Sequence, residues 1–334
     1  MKMIFLYLTI GLMALSANPT LAAEKPVLTV YTYDAIAADW GPGPKIKAGF
    51  EKTCGCTVDF VASYSSIGTL RKIQLEQKNP KADVILGLDT NLAEIARQTG
   101  LFTEHGADIT GLDLPVTWSD SQFLPFDYGY FAFVYDSEKL ANPPTSFKDL
   151  ATTGDDFKII IQDPRSATPG LGLLLWIKQA YGDQAADIWR GLAPKILTVT
   201  KSWSAAYSLF LKGEAQMVLS YTTSPAYHMI AEKVDRYKAA PFEEGHYMQI
   251  ETGAVLKSSK RPDLARKFLQ FMISDEVQEL IPTTNWMLPV KKPAAGLPDA
   301  FDRLHTPAKP LLITGDKVAA NRKKWIAEWQ QALR

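Results

Sequence analysis

The chain is poor in the residues that most catalytic and metal chemistry uses. It holds two cysteines and four histidines in 334 residues. His105, His228, His246 and His305 show no ligand spacing, so no metal site is expected. A Gly-x-Ser-x-Gly elbow, a His-Glu-x-x-His helix, a Walker loop and a dinucleotide glycine fingerprint are all missing. A triad can be assembled from distant positions, but the balance moves towards a binding protein with no catalytic residue and no cofactor. An excess of one charge is also lacking. The 36 basic residues match the 36 acidic ones, and no basic stripe is visible, which argues against nucleic acid as a partner. Nor does any stretch read as an amphipathic helix for a membrane surface.

What is present begins with Met1 to Ala23. Lys2 supplies a positive start, Ile4 to Leu15 is almost wholly apolar, and Pro19 precedes the small residues Ala22 and Ala23. That is the pattern of an export signal. The apolar run is too short to span a bilayer as a helix, and no cysteine follows it to carry a lipid. The mature chain is expected to start near Ala23 or Glu24 and to work, soluble, outside the cytoplasm. It would keep about 310 residues with a formal charge of −1, a length that implies two domains. The 46% hydrophobic content supplies two cores.

Cys54 and Cys56 flank Gly55. Two cysteines this close in an oxidising compartment are expected to pair, with glycine allowing the tight backbone. The alternative is a reactive Cys-x-Cys thiol pair, but no histidine or basic cluster lies nearby in sequence to lower a thiol pKa.

Strands and helices alternate along the chain. Val27 to Tyr33 and Thr57 to Ala62 read as strands, with a helix over Ile46 to Glu51 between them. Ser66 sits where an N-cap belongs, and Ala82 to Leu88 resembles a buried parallel strand. Phe126 to Asp136 is a long aromatic-rich segment, expected to cross between lobes, and Tyr247 to Leu256 is a second crossing. Phe157 to Gln162 and Met217 to Tyr221 add strands. Thr168 before Pro169 fits an N-cap followed by proline at the first helical position, opening a helix to Tyr181. Pro262 to Met272 is an amphipathic helix, Ser274 caps the next, and the last helix stacks Trp325, Trp329 and Leu333 on one face. The pattern is α/β layered, and two crossings imply discontinuous domains with a cleft at the hinge.

Aromatic rings and hydroxyls gather where strands end, the place where open α/β sheets hold ligands. Tyr33 and Trp40 flank the first exit, and Ser65 and Ser66 follow the second. Thr168 opens a helix, and Trp203 lies between Ser202 and Ser204. Tyr221, Thr222, Thr223 and Ser224 end another strand, with Tyr227 just beyond, and Asn285-Trp286 falls in a proline-bounded loop. Any one of these is more often a structural residue, and Ser66 and Thr168 have a simple reading as helix caps. Together they suit a flat, cationic, aromatic ligand with a polar tail, since rings attract cations and helix N-termini attract phosphate.

Seven blocks carry a resemblance. They are Val-Tyr-Thr-Tyr-Asp (30–34), Ala-Asp-Trp-Gly-Pro-Gly (38–43), Lys-Ala-Asp-Val-Ile-Leu-Gly-Leu-Asp (81–89), the segment 125–136, Thr-Pro-Gly-Leu-Gly-Leu-Leu-Leu-Trp (168–176), Leu-Ser-Tyr-Thr-Thr-Ser-Pro-Ala-Tyr-His (219–228) and Asn-Trp-Met-Leu-Pro-Val (285–290). Across nearly the whole mature chain the sequence resembles the periplasmic thiamine-binding proteins of Gram-negative bacteria. The resemblance implies a two-lobed type II periplasmic binding-protein fold, with the ligand cleft between lobes joined by crossing strands. Lobe 1 would comprise 24–127 and 245–288, and lobe 2 would comprise 128–244 and 289–334. It further implies a monomer that carries thiamine, thiamine monophosphate and thiamine diphosphate to the permease and ATPase subunits of an ABC importer. Ligand contacts would fall on Ser65, Ser66, Ala167, Thr168, Trp203, Tyr221, Thr222, Thr223 and Ser224, with Tyr33, Trp40, Tyr227 and Trp286 as further rings. The chain departs from the family in two places: Ser65-Ser66 stands for Asp-Gly, and Ala167-Thr168 for Ser-Thr.

Rival readings remain. An enzyme of this fold type acting on thiamine would need a cysteine nucleophile, for which only Cys54 and Cys56 are available. Ferric carriers use paired tyrosines, which the chain could offer. Polyamine carriers use several carboxylates, and few acids sit among the positions named above.

Overall fold

A computed structural model of the chain describes residues 24–307 and 310–334. The expected export signal lies outside them. Strand β1, Val27–Tyr33, runs parallel to β2, Thr57–Ser63. Between them α1, Gly43–Cys54, extends past the expected helix at both ends. It begins at a proline-bearing first turn and stops at Gly55, whose φ of +62° is a left-handed conformation that glycine adopts freely. That turn brings Cys54 and Cys56 together as a disulfide, with Cα atoms 5.1 Å apart.

Helix α2, Ser66–Leu75, leads to β3, Val84–Asp89, and then to α3, Thr90–Arg97. Strand β3 is buried throughout because it lies between neighbours inside the sheet. The long β4, Leu124–Asp136, follows. A second half is built from β5, Ile159–Gln162; α4, Thr168–Tyr181; α5, Ala185–Leu192; β6, Ile196–Thr200; α6, Trp203–Leu211; β7, Met217–Tyr221; and the short β8, Tyr237–Ala239. The chain returns through β9, His246–Leu256, into α7, Pro262–Met272, and α8, Asp275–Thr284. It ends in α9, Gly315–Ala332.

The strands lie in the order β2-β1-β3-β9-β4-β7-β5-β6. Strand β4 changes partner midway. Residues Leu124 to Tyr130 pair antiparallel with β9, and Phe131 to Tyr135 pair antiparallel with β7. One strand therefore belongs to both halves, and the architecture is a two-lobed α/β fold. Register irregularities on both sides of β9 fall between Glu251 and Gly253, where a bulge bends a strand and re-aims its side chains.

One apolar core, with Leu28, Val30, Phe126 and Phe268, lies in the first half. A second is continuous through both halves and joins Tyr31, Ile67, Ile85 and Leu88 to Phe131, Phe133, Leu171 and Trp176. Trp325 and Trp329 are buried, as their spacing predicts, and Trp329 meets Trp189 of α5 edge-on at 6.3 Å. Lys178 of α4 also bridges to Glu328 of α9 at 3.0 Å.

Two caps differ from expectation by one residue. Ser65, not Ser66, caps α2: its φ is −165° and its Oγ accepts from Gly68 N at 3.2 Å. A cap needs extended backbone, and Ser66 is already helical. Likewise Ala167 is the cap residue of α4, and Thr168 and Pro169 are its first two helical residues. The Ala167 N–H is used by Asp163 O, which tightens the preceding turn and starts the helix early. Both shifts leave the Ser66 and Thr168 hydroxyls free of capping duty.

Candidate functional site

A cleft of about 670 Å³ opens where the ends of β1, β2 and β7 face the N-termini of α2, α4 and α6. Of the thirteen positions expected to contact ligand, it is lined by Tyr33, Trp40, Ser65, Ser66, Ala167, Thr168, Trp203, Tyr221, Ser224, Tyr227 and Trp286. Thr222 and Thr223 do not line it. After Tyr221 the chain turns inward, so that both threonines are buried and Thr222 N donates to Tyr130 O at 2.8 Å.

Hydroxyls meet across the cleft. Thr168 Oγ1 lies 3.5 Å from Ser66 Oγ, which joins the N-termini of two helices 102 residues apart in sequence. Ser202 Oγ caps α6, accepting from Ala205 N. The first turns of three helices thus border one space, and a helix N-terminus favours negative charge. Gly170 permits the approach of α4, because a Cβ there would sit 2.2 Å from Gln162 O.

The rings are held in place. Trp203 Nε1 donates to Ser220 Oγ at 2.8 Å, and its ring stacks on Tyr207 at 5.0 Å. Tyr207 OH in turn lies 2.9 Å from His228 Nε2, whose Nδ1 faces Glu232 at 2.7 Å. Burial holds the His228 pKa below its ordinary value. Tyr227 meets Trp286 edge-on at 5.2 Å. Trp286 occupies the left-handed region with φ +57°, unusual for a residue with a Cβ; such strain concentrates at ligand sites.

Sequence reasoning missed the acids. Asp34 and Glu251 both line the cleft. Asp34 Oδ2 accepts from Ser204 Oγ at 3.0 Å across 170 residues of chain, and burial raises its pKa. Glu251 is buried, with Oε2 accepting from Tyr33 OH and Oε1 from Gln249 Nε2, both at 2.8 Å. Desolvation, reinforced by the neighbouring Asp127 carboxyl, pushes its pKa well above the usual range. An Asp at the end of β1 was a readable signal, but Glu251 inside a crossing strand was not. Among the described residues no group of three His, Cys, Asp or Glu side chains is placed to hold a metal, and no helix is long and apolar enough to cross a membrane. Cys54 and Cys56 lie away from the cleft lining and are bonded to each other.

A pair of lobes joined by crossing strands, with aromatic rings and helix N-termini meeting over a cleft, is the geometry of a solute binder. Residues 28–279 match the model of the bacterial extracellular solute-binding protein family. The chain belongs to that family. Among solute-binding proteins it is 53% identical over 322 residues to the thiamine-binding periplasmic protein of Escherichia coli, covering 96% of this chain and 97% of the relative. It is 52% identical over 325 residues to the thiamine-binding periplasmic protein of Brucella abortus, covering 97% of each. A solved structure described as a periplasmic thiamin binding protein superimposes with a TM-score of 0.90 at 54% identity, covering 93% of this chain and 97% of the other.

Proposed function

We propose that this solute-binding protein captures thiamine in the periplasm and delivers it to the permease and ATPase subunits of an ABC importer, acting as a monomer. The observation that carries this reading is the cleft itself: Trp203, Tyr221, Tyr227 and Trp286 surround a space whose lining includes the buried carboxyl of Glu251. Thiamine is two planar aromatic rings joined through a methylene, with one fixed positive charge. Stacked rings and a nearby carboxyl are the groups that favour it, and their worth rises as water is excluded. Relatives at more than half identity are named for the same ligand.

Thiamine monophosphate and diphosphate belong to the same proposal. The three helix N-termini around Ser66, Thr168 and Trp203 offer N–H groups to a phosphate. Lys212 also lines the cleft. Export by the segment Met1 to Ala23 completes the reading.

The lobes are taken as 24–127 with 245–288, and 128–244 with 289–334. The partner change of β4 between Tyr130 and Phe131 supports a hinge there. At the last boundary, Pro289 pairs with Asp127 and Val290 is tied to Gln278 and Asp113, which favours a tail that leaves the first lobe a few residues after 288. Ser204–Asp34 and Thr168–Ser66 are the contacts that join the two proposed lobes across the cleft.

Calorimetric titration of refolded, ligand-stripped protein with thiamine and its two esters tests the proposal. The expected result is saturable one-to-one binding, with intact ligand recovered. Absence of saturable heat with all three, or recovery of cleaved thiamine, would overturn it.

A further inference from the structure

Three carboxyls share one face of the sheet beneath the cleft. Glu251 on β9 stands opposite Asp89 on β3 and opposite Asp127 on β4. Directly opposed residues project to the same side, with Cβ atoms about 5 Å apart. Asp89 and Asp127 are fully buried, and Glu251 is 4% exposed. Only Glu251 reaches the cleft.

Their hydrogen-bond partners are all neutral. Asp89 accepts from Asn91 Nδ2 and Leu92 N, Asp127 from Asn285 Nδ2, and Glu251 from Tyr33 OH and Gln249 Nε2. Asp127 Oδ1 is buried with no partner at all. The charged and titratable groups that face the row are few. Tyr33 from β1 and Tyr221 from β7 are both held protonated by burial. Arg322 from α9 acts on Asp89 alone, is itself desolvated, and lies near Arg71 of α2. No cation therefore stands beside Glu251 or Asp127 among the described residues.

Two opposed carboxylates in such surroundings would cost several kcal/mol if both were ionised, and the usual outcome is that protons are retained. Burial pushes Asp127 up to about 8 and Glu251 well above the ordinary carboxyl range. An incoming cation beside Glu251 changes that balance, because it favours the ionised form.

We propose that Glu251 and Asp127 act as a proton-holding pair whose ionisation supplies the counter-charge for a cationic ligand, so that each capture event releases a proton. The proposal rests on the thiamine reading above. The O–H bond of one carboxylic acid breaks, its electron pair stays on the carboxyl oxygen, and the proton passes to a buffer base. One positive charge enters as one leaves, so the net charge of the site is conserved. The pair thereby selects a fixed organic cation over a neutral molecule of the same shape, which could not drive the ionisation.

The test is titration of the stripped wild-type protein with thiamine at about pH 7 in phosphate and in Tris, whose protonation enthalpies differ widely. The difference in apparent heat counts the protons exchanged, and release of about one proton per ligand is expected. Affinity should also rise with pH between about 6 and 8. Glu251→Gln should abolish the buffer dependence, and Asp127→Asn should reduce it. Equal heats in the two buffers, with saturable binding, would overturn the proton-linked mechanism and leave the carrier reading intact. Absence of binding in both would overturn the two together. The wild-type comparison decides the matter even if a variant fails to fold.

Discussion

The indole Nε1 of Trp203 donates to Ser220 Oγ at 2.8 Å while Tyr207 stacks on the same ring. One bond and one stacked neighbour fix the plane of the ring before any ligand arrives, so little side-chain entropy is lost on binding. Trp203→Ala is expected to weaken thiamine binding more than about tenfold, a loss typical of a central aromatic anchor. Ser220→Ala keeps the ring but frees its orientation, and a smaller loss of about threefold is expected. Calorimetry on variants with unchanged circular dichroism checks both. Unchanged affinity for Trp203→Ala would remove that ring from the site.

Thr168 and Ser66 turn their hydroxyls towards each other across the cleft, neither used as a cap, because the caps lie one residue earlier, at Ala167 and Ser65. Their role should depend on the tail of the ligand. Thr168→Val keeps the shape and removes the donor, which is worth about 1 kcal/mol for a hydrogen bond to a neutral group and more for a charged one. The expected outcome is a loss of about fivefold or more for the phosphate esters, with thiamine itself much less affected. Equal losses for all three ligands would place the phosphate elsewhere.

Stability should also depend on pH. Burial holds Asp89 at about 7 and Asp127 at about 8, far above the value near 4 of an unfolded carboxyl. A group raised on folding contributes stability that is full below its unfolded pKa and is lost as pH rises through its folded one. His246, pushed down to about 4 by burial, runs the other way and loses stability as pH falls from 6.5 towards 4. Above about 6.5 the imidazole is neutral in both states, and the carboxyls decide. Between about pH 6.5 and 8 the ligand-free protein should lose stability as Asp89 and the Asp127–Glu251 pair give up protons. Its melting temperature should fall by several degrees, and Asp127→Asn should flatten the slope. A melting temperature that rises across this window would contradict the assignment.

The Cys54–Cys56 bridge closes a very small ring and lies away from the cleft. Reduction should therefore cost roughly 1–2 kcal/mol of stability and leave thiamine affinity unchanged. The oxidised protein should titrate with no free thiol.

Much of the site was legible because its rings and hydroxyls follow strands that the sequence marks by apolar runs. Tyr33 ends Val27–Tyr33, and Tyr221 ends Met217–Tyr221. The crossing segments were legible too, through their unusual length and aromatic content. What was hidden depends on register or on a single dihedral. Asp89, Asp127 and Glu251 are far apart in sequence and meet only because β9 lies between β3 and β4. The capping residues differ from expectation by one because φ decides which of two adjacent residues begins a helix. Thr222 and Thr223 followed a strand end as the others do, yet the chain turns them into the interior.

Native mass spectrometry of the protein, refolded from denaturant and mixed with equimolar thiamine, iron and spermidine, tests the central claim most directly. The result expected is one intact thiamine per chain, lost in Trp203→Ala. A spectrum dominated by a metal or polyamine adduct, or by empty chain, would contradict it.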